Sequence, residues 1–240
     1  MQHNKLYTIL FATSITIIAS LFLATASTQL RAKQEFNKEL DRKKKILECL
    51  GLDMDSYSME AVINTYEKGI KGIVITLDGE SVENIKIEDL ITVTDGSSGQ
   101  SNYIYEERQY LPIYHAPDSQ VYILPISGKG LWSTLYGYFA LENDFNTVKG
   151  ITFYKHKETA GLGGEIEKPW FRNNFAGKHI FDKEGQLISI KVIKGKVRDI
   201  LIESDWAHAV DGISGATVTS NGVTNLLQRE LLRYHPFIKK

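Results

Sequence analysis

A short segment of small and polar residues near the C-terminus, Asp211–Thr217, has the composition of an attachment point for a phosphorylated group. A helical pattern follows the segment, so Thr217 is predicted at the junction between a loop and a helix. Gly215 and Ala216 leave room for a group that approaches the Thr217 hydroxyl. The free backbone N–H groups of a helix start bind phosphate, and the helix dipole adds to this. A hydroxyl beside a bound phosphate predicts a phosphoester, and the alternative is a plain Ser/Gly turn that caps the helix.

The N-terminal region contains a long uncharged run that predicts a membrane anchor. No charged residue occurs from Leu6 to Leu30, and these 25 residues exceed the roughly 20 that a helix needs to cross a bilayer. A cleaved signal peptide is the alternative, because Ala24 and Ala26 have the spacing of a cleavage site. The run is longer than a usual signal core, and only Lys5 precedes it as a charged side chain. We therefore expect a retained anchor.

The overall composition limits the chemistry that the chain can carry. The 240 residues contain 42% hydrophobic and 24% charged residues, which is typical of a folded protein. The formal net charge of −1 gives no basic face for nucleic acid. Cys49 is the only cysteine, which excludes an intrachain disulfide, a CxxC redox pair and an all-cysteine iron–sulfur site. If the chain moves electrons, an organic cofactor must carry them, and no metal site is expected.

Periodicity predicts an α+β fold in which a single domain with a mainly antiparallel sheet follows the transmembrane helix. The expected divisions are an anchor at residues 1–30, a charged juxtamembrane helix at 31–50 and a domain at 51–240. Helical patterns cover about 56–69, 166–177 and 220–234. Strand patterns cover 72–77, 120–125, 136–141, 148–154 and 187–193, with a further strand or hairpin over 103–114.

Three glycine-rich segments separate these elements: Ser127–Ser133, His156–Glu165 and Ser214–Val223. Glycine allows the backbone to approach a planar ligand closely and exposes N–H groups to its polar edge. Each segment alone is typical of an ordinary turn. None of them matches a dinucleotide fingerprint or a P-loop.

In this order, behind an N-terminal span, the segments resemble those of one family of membrane flavoproteins. The resemblance is to the C subunits of the Na⁺-translocating NADH:quinone reductases, whose close relatives are the G subunits of the Rnf-type complexes. It rests on Leu-Arg-x-Lys-Gln after the span, Gly-Lys-Gly-Leu-Trp-Ser, Glu-Thr-x-Gly-Leu-Gly-Gly-Glu, and Ser-Gly-Ala-Thr-x-Thr-Ser-Asn-Gly-Val. It extends over nearly the whole chain. One departure is Ala160, where the family commonly has proline, and this reduces local stiffness without removing binding groups.

The resemblance implies a flavin mononucleotide (FMN) bound covalently through its phosphate to Thr217. A separate Mg²⁺-dependent flavin transferase would install it from FAD and would recognise Asp211 and the Ser214-Gly215-Ala216 sequence. Attachment by phosphate leaves the flavin ring unmodified, so protein contacts tune its potential. The residues implied to lie around the flavin are Leu131, Trp132, Glu158, Thr159, Leu162, Gly163 and, on a neighbouring strand, Lys191.

By the same resemblance, the chain relays electrons inside a bacterial inner-membrane complex that couples NADH oxidation and ubiquinone reduction to Na⁺ export. Other subunits and the membrane are the implied partners, and the protein is not active alone. The excess of Lys and Arg after the span favours a cytoplasmic domain, whereas the family implies a periplasmic flavin domain. The alternatives are the G subunit of an Rnf-type complex and a flavin-binding sensor or scaffold without electron flux.

Overall fold

Most of the first helix forms a unit of its own. The computed structural model describes residues 5–54 and 56–239, so residues 1–4 of the expected anchor and residues 55 and 240 of the expected domain lie outside this description. Helix α1 (Lys5–Cys49) runs unbroken for 45 residues, through the expected division at residue 30. Among the described residues, α1 is the one helix long and apolar enough to cross a membrane by length and composition. The chain divides after Asp41, and the compact unit begins at Arg42.

The compact unit is built on an antiparallel sheet of eight strands. Its main path runs β2-β1-β5-β6-β7-β8, and β4 joins β5 while β3 pairs with β4. The strands are β1 (Lys71–Thr76), β2 (Ser81–Val82), β3 (Ile91–Thr94), β4 (Ser101–Tyr105), β5 (Arg108–Ala116), β6 (Val121–Lys129), β7 (Thr134–Leu141) and β8 (Val148–Lys155). The predicted α+β class is confirmed, and the segment 103–114 forms the β4–β5 hairpin.

Four further helices and a small parallel strand pair complete the described elements. Helix α2 is Met59–Gly69, α3 is Pro169–Arg172, α4 is Val197–Ile200 and α5 is Thr217–Ile238. Strands β9 (Lys191–Val192) and β10 (Ala209–Val210) pair in parallel. Short 3₁₀ turns occupy Ile87–Asp89, Gly163–Glu167, Asn173–Phe175 and Glu203–His208.

Helix α5 covers one face of the sheet through a single apolar stripe. Successive residues of a strand point to opposite faces, and the stripe packs against the face that includes Phe139 and Ile151. Its buried members are Val223, Leu226, Leu227, Leu231 and Tyr234, as the helical spacing predicted. The Tyr234 hydroxyl lies 3.0 Å from the Pro112 carbonyl and 3.3 Å from the Pro125 carbonyl, so it can donate to these backbone acceptors of β5 and β6.

The last turns of α1 cover the opposite face of the sheet. The Thr152 hydroxyl donates to the Lys45 carbonyl at 3.0 Å, and the Cys49 thiol donates to the Tyr138 carbonyl at 3.4 Å. The Glu48 carboxylate accepts from Arg172 at 2.7 Å, which joins α1 to α3. Residues 42–49 therefore belong to the compact unit by their contacts.

Two sequence-based expectations about the strands are wrong. Residues 187–193 were expected to form a strand, but only Lys191–Val192 does so. Ser189 has φ of 64°, a left-handed conformation that interrupts extended backbone. Ser127–Ser133 was expected to be one glycine-rich loop, but β6 continues to Lys129 and pairs with β7 there. The turn is confined to Gly130–Ser133.

Candidate functional site

Thr217 is the first residue of α5 and its side chain is exposed. The residue before the helix, Ala216, has φ of −122° and provides no side-chain cap. Gly215 has φ of 74°, a left-handed conformation that glycine adopts without steric strain. The predicted loop-to-helix junction is therefore confirmed, whereas the alternative, a turn that caps the helix through a side chain, is not what this helix start shows. The backbone N–H groups of an uncapped first turn are suited to bind an anionic oxygen beside Thr217.

The three glycine-rich segments converge at this helix start. A Cβ atom placed on Gly215 would lie 2.9 Å from Leu162 Cδ2. One on Gly163 would lie 2.5 Å from Thr219 Oγ1, and one on Gly222 would lie 2.6 Å from the Lys129 carbonyl oxygen. Glycine at these positions allows the loops and the first two turns of α5 to pack in direct contact.

A buried carboxylate, that of Glu158, connects the same segments. It accepts backbone N–H bonds from Leu131 at 3.2 Å, Trp132 at 3.0 Å and Ser133 at 3.3 Å. It also accepts from the Thr219 hydroxyl at 2.6 Å, two residues after Thr217. Burial alone would raise the pKa of Glu158, but these four hydrogen bonds outweigh burial and lower it. Glu158 is thus an ionised clamp between the Gly130–Ser133 turn and α5.

Three large apolar side chains near Thr217 are left in solvent. Leu131 is 48% exposed, Trp132 is 67% exposed and Leu162 is 43% exposed. The Glu158 clamp fixes the backbone of Leu131 and Trp132, and Leu162 contacts Gly215. Exposed apolar surface beside a reactive position is suited to a planar aromatic ligand.

The remaining predicted site residues divide into those near this cluster and those away from it. Thr159 is exposed, and its carbonyl accepts from Leu162 at 3.1 Å and Gly164 at 2.9 Å, so it shapes the second loop. Ser214 is exposed within the attachment segment. Lys191 lies on β9, where the next residue, Val192, donates to the Thr224 hydroxyl. Thr224 is two turns, or about 10 Å, beyond Thr217 along α5.

Asp211 points away from the helix start. Its carboxylate accepts the Val197 N–H at 2.7 Å and so holds the start of α4. The next residue, Gly212, donates its N–H to the Gly195 carbonyl at 2.9 Å. These bonds fix the beginning of the attachment segment against the 193–197 loop.

Sequence reasoning assigned no role to Thr219 or to Ser133. The Ser133 hydroxyl accepts the Lys157 N–H at 2.7 Å and adds a second link between the first two loops. Thr219 could have been identified from the sequence, because a hydroxyl side chain within the first helical turn tends to form a hydrogen bond rather than to pack in the core. Its partner Glu158 is 61 residues earlier, a pairing that spacing alone does not reveal.

Comparison with known proteins relates this arrangement to a family. Residues 130–231 match the model of the FMN-binding domain. The C subunit of the Na⁺-translocating NADH-quinone reductase of Pseudomonas aeruginosa is 33% identical, with 94% of this chain and 91% of that protein aligned. The corresponding C subunit of Haemophilus ducreyi is 35% identical over 88% of this chain and 83% of that protein.

Solved structures agree with these sequence matches. The crystal structure of the C subunit from Parabacteroides distasonis superposes with a TM-score of 0.70 at 33% identity, covering 88% of this chain and 98% of that one. A second, from Shewanella oneidensis, has a TM-score of 0.64 at 25% identity and covers 82% of this chain and 94% of that one. The chain therefore belongs to the family of the C subunits of the Na⁺-translocating NADH-quinone reductases, whose members are components of an oxidoreductase complex.

Proposed function

We propose that this chain is the FMN-carrying subunit of a Na⁺-translocating NADH:quinone reductase and holds FMN through a phosphoester to Thr217. The observation that carries the proposal is an exposed threonine at the first position of an uncapped helix, beside exposed Leu131, Trp132 and Leu162. The helix start would receive the phosphate, and the apolar side chains would flank the ring. Bound FMN supplies one-electron redox chemistry.

Within this proposal, Glu158 acts on the flavin through the backbone. Its carboxylate accepts four hydrogen bonds from the Gly130–Ser133 turn and from Thr219, and so sets the position of that turn relative to Thr217. Thr159, Gly163 and Lys191 stay predictions as direct flavin contacts.

Recognition by a flavin transferase would use the segment that precedes Thr217. Ser214 and Gly215 are exposed, whereas Ala216 is buried beneath them, so an enzyme could reach the acceptor from the Ser214 side. Asp211 anchors the segment from its other end through the Val197 N–H.

In-gel fluorescence tests the covalent attachment. The protein is co-expressed with a flavin transferase and denatured before electrophoresis. Flavin fluorescence is expected to stay with the band and to disappear in Thr217→Ala. Thr92→Ala is the matched control, because it removes an exposed threonine hydroxyl outside the attachment segment and leaves the acceptor and the recognition sequence in place. Fluorescence that survives Thr217→Ala would contradict the assignment.

We also propose that residues 1–30 anchor the chain in the bacterial inner membrane, with 31–50 as the juxtamembrane helix and 51–240 as a periplasmic flavin domain. The uncharged run of α1 supports the anchor.

The side of the membrane on which the domain lies can be measured by cysteine labelling, because the only native thiol is inert. Burial raises the pKa of Cys49 to about 12, and its side chain is 1% exposed. A membrane-impermeant maleimide should label Lys183→Cys in spheroplasts and leave the parent unlabelled. Labelling only after lysis would place the domain in the cytoplasm.

Electron flux separates a redox subunit from a sensor or scaffold. Membranes that contain the assembled complex are supplied with NADH while the absorbance of oxidised flavin is followed. A redox subunit loses this absorbance and recovers it when quinone is added. A sensor or scaffold retains it throughout.

A further inference from the structure

A cavity of about 260 Å³ opens in the compact unit and is lined in part by Asp211, whose carboxylate accepts the Val197 N–H. It lies between α4, the Glu203–His208 turn and β10. The residues that line it are Asn174, Lys178, Lys196, Val197, Arg198, Trp206, Ala209, Val210 and Asp211. Asp211 is the one residue of the Asp211–Thr217 segment that lines it, and Thr217, Leu131, Trp132 and Leu162 do not.

The lining has a formal excess of two positive charges, from three cations and one carboxylate. In residues 5–54 and 56–239, no carboxylate oxygen lies within 4.0 Å of the cationic nitrogens of Lys178, Lys196 or Arg198. Asp211 uses one carboxylate oxygen for the Val197 N–H. The lining therefore retains a net positive charge, although Asp211 offsets part of it.

Two of the cations are held in place at the wall. The Lys178 ammonium donates to the Trp206 carbonyl, and the Arg198 guanidinium lies over the Trp206 ring, 5.6 Å from its centroid. Burial lowers the pKa of Lys178, and Asp211 counteracts part of that effect. An anion beside Lys178 would favour its charged form further. Fixed cations bind an anion without a large loss of side-chain entropy.

Apart from Asn174, the rest of the lining is largely apolar, and the volume exceeds that of a single ion. Val197, Ala209 and Val210 line the cavity, and the indole of Trp206 is fixed by its Nε1 donating to the Leu201 carbonyl at 3.1 Å. A water molecule occupies about 30 Å³ in the liquid, so the cavity accommodates an anionic head with a small organic body. A phosphate monoester carries about −1.5 to −2 charge at pH 7, which matches the excess positive charge.

We propose that this cavity is a second anion site, separate from Thr217, that binds the phosphate monoester of a small organic molecule. Lys178, Lys196 and Arg198 bind the phosphate, and Val197, Val210 and Trp206 contact the organic body. The site shares only Asp211 with the attachment segment and does not include Thr217, so it does not depend on whether Thr217 carries FMN.

Isothermal titration calorimetry on the full-length protein in detergent tests this site, with glycerol 3-phosphate, inorganic phosphate and glycerol as probes. Glycerol 3-phosphate is expected to bind saturably and glycerol to give no signal. The double variant Lys196→Gln/Arg198→Gln should weaken binding at least tenfold. Both side chains are exposed, so the fold should be unaffected, as melting followed by circular dichroism would verify. Lys194→Gln is the matched control, an exposed cation of the same segment that does not line the cavity, and should change affinity less than twofold.

The outcomes separate the site from general surface charge. Equal affinity for inorganic phosphate and the ester would identify free phosphate as a ligand and would uphold the anion site. Thr217→Ala should bind glycerol 3-phosphate as the parent does, which distinguishes this cavity from the flavin attachment point. The proposal is overturned if no phosphate probe saturates, or if Lys194→Gln weakens binding as much as the double variant.

Discussion

Glu158→Gln is the perturbation that tests the architecture of the site most sharply. The side chain keeps its size but loses its charge, and one of its two acceptor oxygens becomes an NH₂ group. One oxygen of Glu158 accepts from Trp132 and Ser133, and the other accepts from Leu131 and Thr219. The Thr219 hydroxyl can rotate to accept, so the NH₂ group is expected on that side. The Leu131 N–H then loses its acceptor.

The magnitude follows from these bonds. Hydrogen bonds to a charged group contribute about 1.5–3 kcal/mol each, and a buried donor without a partner costs about 1–3 kcal/mol. Since two of the four bonds persist with a neutral acceptor, we expect the free energy of unfolding to fall by about 2–4 kcal/mol. The Gly130–Ser133 turn should also loosen relative to Thr217, so the rate of flavin incorporation should fall.

The assay combines urea unfolding of the compact unit with the rate of covalent flavin incorporation. Glu165→Gln is the matched control in the same loop, because its carboxylate is partly exposed and accepts from the Trp170 indole at 2.9 Å. That variant should lose less than about 1 kcal/mol, as is typical of partly exposed polar contacts. If Glu158→Gln unfolds and incorporates flavin as the parent does, the clamp has no role in positioning the site.

Three further predictions concern individual contacts. Gly163→Ala places a Cβ atom 2.5 Å from Thr219 Oγ1 and should slow flavin incorporation. Gly96→Ala is the control and should not slow it, because a Cβ atom there has no heavy atom within 4 Å. Equal rates of flavin incorporation in the two variants would argue against close packing of the loops. Tyr234→Phe removes the hydroxyl that contacts two buried carbonyls and should lower the free energy of unfolding by about 1 kcal/mol, as measured by urea unfolding. An unchanged midpoint of the urea transition would contradict that contact. Burial raises the pKa of Glu230 to about 7 despite the nearby Arg233 and Arg229, so folding favours its protonated form. The protonated Glu230 side chain therefore contributes to the free energy of unfolding below pH 4.5, and this contribution is lost as the pH rises through 7. Relative to Glu230→Gln, the free energy of unfolding should fall over this range by at most about 3 kcal/mol. Parallel pH profiles of unfolding for the two proteins would refute this.

Elements with regular periodicity could be predicted from the sequence. The stripe of α5 has clear helical spacing, and strands β6, β7 and β8 are short runs rich in apolar, aromatic and β-branched residues. The start of α5 followed from a glycine-rich segment before a helical pattern. The strand predicted over residues 187–193 was wrong because a composition rich in β-branched residues does not reveal the left-handed φ at Ser189. There the backbone N–H groups of Ile188 and Ser189 both bond to the Ile180 carbonyl, a tertiary contact that overrides local preference.

The sequence predicted which residues belong to the candidate site, but not the hydrogen bonds that connect them. The exposed Thr217 and the apolar residues of the two other loops followed from the motifs. The inward orientation of Glu158 did not, because it depends on partners 25 to 61 residues away. Asp211 likewise belongs to the motif in sequence but hydrogen-bonds to Val197 in space.

The intact mass of the protein after co-expression with a flavin transferase tests the central claim most directly. The parent should gain the mass of one FMN less one water, since transfer of the flavin phosphate from FAD to the Thr217 hydroxyl forms the phosphoester and releases AMP. Thr217→Ala should show no gain. An unmodified parent, or a gain that persists in Thr217→Ala, would contradict the assignment of Thr217 as the attachment point.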